Sequence, residues 1–253
     1  MSMRSKVPAV TLAFWITKIC ATTAGETGGD ALSMTLGLGY AVSTFIFLGL
    51  LLVLLAAQIR SQTYRPFLYW GVIIATTTTG TTISDYLDRT AGLGYPRSSL
   101  LLFGAVLVVL AAWRLTTGSV SIKAITTRPA EVFYWAAILF SNTLGTALGD
   151  FVADSSGLGF DGGAIVFGAA LALIAAAYFL TKASRAWLFW AAFVMTRPLG
   201  ATLGDLLTKP HAEGGMEFSR IVSSLMIATT IVLLIVMTDR GAEQGPAEIE
   251  PAT

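Results

Sequence analysis

Four tryptophans each stand 15 residues before an aspartate: Trp15 and Asp30, Trp70 and Asp85, Trp135 and Asp150, Trp190 and Asp205. The fragments read FWITKICATTAGETGGD, YWGVIIATTTTGTTISD, YWAAILFSNTLGTALGD and FWAAFVMTRPLGATLGD. Each has an aromatic before its Trp and a glycine five residues before its Asp (Gly25, Gly80, Gly145, Gly200). A glycine-rich turn follows: GLGY twice, GLGF, and a diverged EGGMEF. The aspartates are 55, 65 and 55 residues apart, so a unit of about 55 residues was doubled and the product doubled again, with ten extra residues in the central linker. A fold built this way stacks like units against each other.

Each unit holds two apolar runs. A bilayer core of ~30 Å takes ~20 apolar residues of helix, and eight stretches qualify: about 8–32, 39–59, 66–88, 97–115, 129–153, 160–181, 186–208 and 217–238. Composition agrees. The 253 residues are 55% hydrophobic and 12% charged, with mean hydropathy +0.72, whereas a soluble domain is about 25% charged. We expect an all-α integral membrane protein of eight transmembrane helices, made of four tandem two-helix repeats in two parallel halves. Its partner is the lipid bilayer, and its place is the cell membrane. The halves span 1–118 and 119–238, and 239–253 reads as a polar, disordered tail. The first run is too long and too charged for a cleaved signal, so it is retained.

Lys and Arg set the expected orientation. The termini and the loops after even spans carry ten of them, and the opposite side carries four (Arg89, Arg97, Lys209, Arg220). Both termini are therefore expected to be cytoplasmic. Each unit is two spans, so all four units enter from the same side, which makes the repeats parallel, not inverted.

Even spans are plain, and odd spans carry the polar residues. An ionisable group within a span points to function. Each Asp lies about 22 Å beyond its Trp along a helix, near a C-terminal end where the dipole disfavours negative charge. Four such placements call for a cationic partner. Residues four before Asp are Glu26, Thr81, Thr146 and Ala201; eight before stand Thr22, Thr77, Asn142 and Arg197. These offsets share one helix face. Oxygen ligands suit hard cations, and no thiolate or imidazole cluster exists to suggest zinc. The expected cation ligands are Glu26, Asp30, Asp85, Asn142, Asp150 and Asp205, with Lys18 and Arg197 as charge partners. Glycine four residues from a small residue lets backbones approach. The run ATTTTGTT, 75–82, can bond back to its own helix carbonyls without any ligand.

These features resemble a bacterial multi-pass family labelled "uncharacterised membrane-anchored protein". The likeness covers nearly the whole chain, from KVPAVTLAFWITKICATTAGETGGD through the four Trp-to-Asp units. A weaker likeness runs to cation exporters with an E-x-G-D-type motif; ETGGD, 26–30, has one residue more than that motif, and the other units lack the Glu.

The expected function is transport of a cation, a divalent metal such as manganese first, with proton coupling as an option. A cation channel with an aspartate ring, or a membrane scaffold or enzyme with structural acids, are the competing readings. No Ser/His or Cys/His arrangement argues for an enzyme; the single histidine, His211, and the single cysteine, Cys20, have no partner of that kind in sequence. No cofactor is expected. A net charge of +1 gives no case for nucleic acid. The oligomeric state stays open, a homo-oligomer included.

Overall fold

The computed structural model describes residues 7–121, 125 and 127–243. Eight α-helices account for most of it: α1 Leu12–Asp30, α2 Gly39–Arg60, α3 Pro66–Asp85, α4 Tyr95–Thr117, α5 Arg128–Asp150, α6 Gly159–Leu180, α7 Arg185–Thr208 and α8 Arg220–Glu243. The last helix runs past residue 239, where the tail was expected to begin. Residues 244–253 lie outside the described residues.

Local chemistry sets the helix ends. Thr11 and Thr127 cap α1 and α5 by accepting from the backbone N–H of Phe14 and Ala130. Pro66 opens α3, where a missing N–H costs nothing. The repeated Gly-Leu-Gly turn has a conformational reason. Gly37, Gly39, Gly92, Gly94, Gly157 and Gly159 all have φ between +68° and +74°, a region in which only glycine is unstrained. In the diverged fourth turn, Gly214 keeps a positive φ and Glu217 takes one of 57° without being glycine. After its aspartate, each of the first three odd helices continues as a single π-helical turn, at 31–35, 86–90 and 151–155. Such turns recur at functional sites.

The odd helices form a closed ring. α1 packs on α3, α3 on α5, α5 on α7, and α7 on α1. The even helices sheathe it, each against the odd helix of the next repeat: α2 on α3, α4 on α5, α6 on α7, and α8 back on α1. The α3–α5 and α1–α7 contacts join residues 1–118 to residues 119–238.

One end of the ring is closed by aromatics. The residue before each Trp meets the Trp of the next helix: Phe14–Trp70 at 5.6 Å, Tyr69–Trp135 at 5.6 Å, Tyr134–Trp190 at 6.1 Å and Phe189–Trp15 at 5.7 Å between ring centroids. The Tyr69 and Tyr134 hydroxyls bond each other at 2.6 Å. This collar explains why the aromatic pair recurs in all four repeats.

Polarity is inverted relative to a water-soluble globule. Lys18, Arg197, Glu26, the four repeat aspartates and fifteen threonines of α1, α3, α5 and α7 are buried. Phe45, Leu100, Leu115, Ile165, Leu173 and Leu180 on the even helices are more than 70% exposed. Five segments are long and apolar enough to cross a membrane: Gly39–Arg60, Tyr95–Thr117, Arg128–Ser155, Gly159–Leu180 and Arg220–Asp239. Helices α1, α3 and α7 are of similar length, but Thr, Gly and charge lower their hydropathy, because their polar faces look into the ring.

Candidate functional site

Glycines bring the ring helices together. A Cβ on Gly25 would lie 1.6 Å from Thr77 Oγ1, and one on Gly200 2.2 Å from Thr22 Oγ1. On Gly80 it would meet the backbone N of Thr143 at 2.9 Å, and on Gly145 the Cβ and Cγ of Arg197 at 2.4 Å. Each glycine five before Asp thus faces the residue eight before Asp on the next helix, around the whole ring. Cross-helix hydrogen bonds follow the same rule. Thr77 Oγ1 donates to the Ala21 carbonyl and Thr22 Oγ1 to the Thr196 carbonyl, at 3.2 and 3.1 Å. The threonine run divides accordingly. Thr76, Thr78, Thr79 and Thr82 bond back to their own helix, as expected, while Thr77 and Thr81 also reach α1.

Three layers lie along the ring interior. Deepest towards the collar, Lys18 is fully buried. Its Nζ donates to Asn142 Oδ1 at 3.3 Å and sits 4.2 Å from the Phe193 ring centroid. Asn142 Nδ2 donates to Thr76 Oγ1. Next comes the layer four before Asp. There Ala201 has no polar group, and Arg197, from one turn below, fills the space. Its Nη2 lies 2.7 Å from Glu26 Oε2 and donates to Thr81 Oγ1 and Thr146 Oγ1 at 2.5 and 2.6 Å. One guanidinium therefore ties α7 to the other three ring helices.

At the end opposite the collar, the acids converge. One carboxylate oxygen from each of Glu26, Asp30 and Asp85 lies within 4.8 Å of the other two. The same holds for Glu26, Asp150 and Asp205. All five are buried. Oxygens bound to one hard cation at 2.0–2.6 Å are about 5 Å apart at most, so either triad has the spacing to share one ion.

The acids already have basic neighbours. Arg89 reaches Asp85 at 3.2 Å and Asp150 at 3.5 Å. Lys209 reaches Asp30 at 3.2 Å and Asp205 at 3.3 Å. Arg220 lies 3.6 Å from Asp30. Burial disfavours the Lys209 ammonium, but Asp205 and Asp30 outweigh it and raise the Lys209 pKa above its ordinary value. Five carboxylates thus face four basic side chains, Arg197 included.

Of the expected residues, Glu26, Asp30, Asp85, Asp150 and Asp205 come together, and Arg197 pairs with Glu26. Lys18 and Asn142 do not join them. They bond each other in the layer nearest the collar, because Asn142 stands eight and Lys18 twelve residues before its own aspartate, more than two helical turns, so Asn142 is no ligand of the carboxylate cluster. Among the described residues Lys18 has no ion pair with an acid. Arg89, Lys209 and Arg220, read from sequence as loop charges, are the acids' real counter-charges. Arg89 and Lys209 stand four residues after Asp85 and Asp205, a spacing that places them on the aspartate's own helical face.

The ring and its sheath define a helical repeat protein with membrane-length apolar helices and a charged interior. The repeat is an established one. Residues 13–64, 68–119, 133–184 and 188–239 each match the family described as "Repeat of Unknown Function (DUF347)", and the chain belongs to that family. No curated protein and no solved structure matches it.

Proposed function

We propose that the chain is a multi-pass protein of the cell membrane, with eight spans and both termini cytoplasmic, that carries a cation through the carboxylate end of its helix ring. The observation that carries this reading is the pair of carboxylate triads sharing Glu26. A hard divalent cation suits an all-oxygen set; manganese is the first candidate, and proton exchange can complete the coupling. ETGGD, 26–30, supplies two of the five acids and is the part similar to the E-x-G-D motif of cation exporters. A cation entering the cluster competes with Lys209 and Arg89 for the same oxygens. A carrier fits better than an open channel, because Arg197 spans the ring interior and the four repeats differ at that layer.

The test is thermal unfolding of the purified protein in detergent with Mn²⁺, Mg²⁺, Ca²⁺, Zn²⁺, Na⁺ or K⁺, beside Asp30→Asn and Asp150→Asn. A ligand at a hundred times its Kd stabilises by about 2.7 kcal/mol, a rise in Tm of about 5–11 °C for a chain of this size. A selective, saturable rise lost in both variants, followed by flux of that cation into liposomes, supports the proposal. A flat panel overturns it and leaves the acids a structural role.

A further inference from the structure

Lys18 and Arg197 are the two basic groups deepest in the ring, and both are 0% exposed. Of the two, Arg197 has the Glu26 carboxylate against it. Among the described residues no carboxylate reaches Lys18, whose ammonium has three donors and one hydrogen-bond partner, Asn142 Oδ1. Arg197 uses only Nη2; its Nε and Nη1 have no hydrogen-bond partner, although both are buried. Buried charges and buried donors left unmatched are costly, so a partner is expected at such places.

The two groups stand in adjacent layers of the ring. Lys18 and Thr22 are one turn apart on α1, and Thr22 bonds the carbonyl of Thr196, the residue before Arg197. Lys18 Nζ lies over Phe193, one turn before Arg197 on α7. On α5, Asn142 touches Lys18, and Thr146, one turn further, touches Arg197. The two cations are therefore about one helical turn apart, ~5.4 Å along the axis.

We propose that a small monovalent anion, of chloride or bromide size, binds between Lys18 and Arg197. Neither side chain has an acceptor, so a partner that only accepts and carries negative charge satisfies both. Water supplies no charge and brings donors of its own. A monatomic anion is proposed over phosphate or sulfate because Gly200 against Thr22 and Gly145 against Arg197 hold α7 in direct contact with both neighbours at this level. The site adjoins the carboxylate cluster through the Arg197–Glu26 pair, but its halide dependence is read with divalent cations chelated, so its fate does not decide the cation reading.

The experiment is thermal unfolding of the full chain in detergent with a chelator present, at fixed ionic strength, as gluconate is replaced by chloride, bromide or sulfate. Wild type should rise by about 5 °C or more at saturating chloride or bromide and not in sulfate. Lys18→Met should lose the halide dependence. Equal Tm values in chloride and gluconate overturn the proposal, as does a halide effect that persists in Lys18→Met. If that variant does not fold, bromide-soaked crystals of the wild type decide. An anomalous peak within hydrogen-bonding reach of Lys18 Nζ supports the site, and no peak there refutes it.

Discussion

Replacing Arg197 by Met tests whether the ring interior is dry. Arg197 and Glu26 are 0% and 3% exposed and 2.7 Å apart. Removing the guanidinium leaves the Glu26 carboxylate a single side-chain hydrogen bond, from Thr81 at 3.3 Å. Breaking a buried pair from one side costs about 3–5 kcal/mol, chiefly because the surviving charge stays buried and uncompensated. At roughly 2–4 °C per kcal/mol, Arg197→Met should unfold about 6–20 °C below wild type. Glu26→Gln strands the guanidinium instead and should cost a similar amount. The double variant strands no charge, so it should be no less stable than either single, a non-additivity of about 3 kcal/mol in a double-mutant cycle. Thermal unfolding in detergent, without divalent cations, measures all four corners. If both singles fall within about 1 kcal/mol of wild type and the double is additive, the pair has the value of a solvated one. The ring would then be water-filled along its axis, and the channel reading would replace the carrier.

Gly145→Ala should destabilise by about 1–3 kcal/mol, because its Cβ would meet Arg197 and Pro198. Gly49→Ala, in an interior position of α2 with nothing within 4 Å, should be neutral or gain up to about 1 kcal/mol; unfolding midpoints compare the two. Tyr69→Phe removes the 2.6 Å bond to Tyr134 and should cost about 1 kcal/mol; an unchanged midpoint would show that the collar is held by ring packing alone. Lys209→Met should lower Tm without divalent cations and enlarge the cation-induced rise, since it removes a competitor for Asp30 and Asp205. An unaltered rise would exclude competition at those oxygens. Ser61→Cys in a Cys20→Ser background should be labelled from the cytoplasmic side only; labelling from outside would reverse the proposed topology.

The repeat, the helix count and the convergence of the acids were legible because each rests on spacing. Gly25, Gly80, Gly145 and Gly200 announced close helix contact, and contact delivers Asp30, Asp85, Asp150 and Asp205 to one end. Neighbour choice was not legible. Four similar repeats offer no local signal for which odd helix meets which, or for α2 leaving α1 to pack on α3. The role of Arg89 and Lys209 was obscured by counting charges per loop, which discards their register on the helix. Their +4 offset from Asp85 and Asp205 carried the information, and Met34 and Asp154 at the matching places in repeats 1 and 3 made it alternate. The expectation for Asn142 rests on its helical face, and a face does not specify depth.

The sheath is offset by one helix from the sequence repeat. Three of its packed pairs, α2–α3, α4–α5 and α6–α7, are neighbours along the chain, joined by short connections. The fourth, α8 on α1, unites the first of these eight helices with the eighth. The ribosome therefore delivers α1 before the other seven helices and its covering helix after the rest, so α1 waits through three further repeats for its sheath. A chain stopped after α7 would have all four repeat aspartates but neither Arg220 nor an outer helix for α1. Opening the chain between α1 and α2, and joining the old ends, would turn every packed pair into a consecutive hairpin.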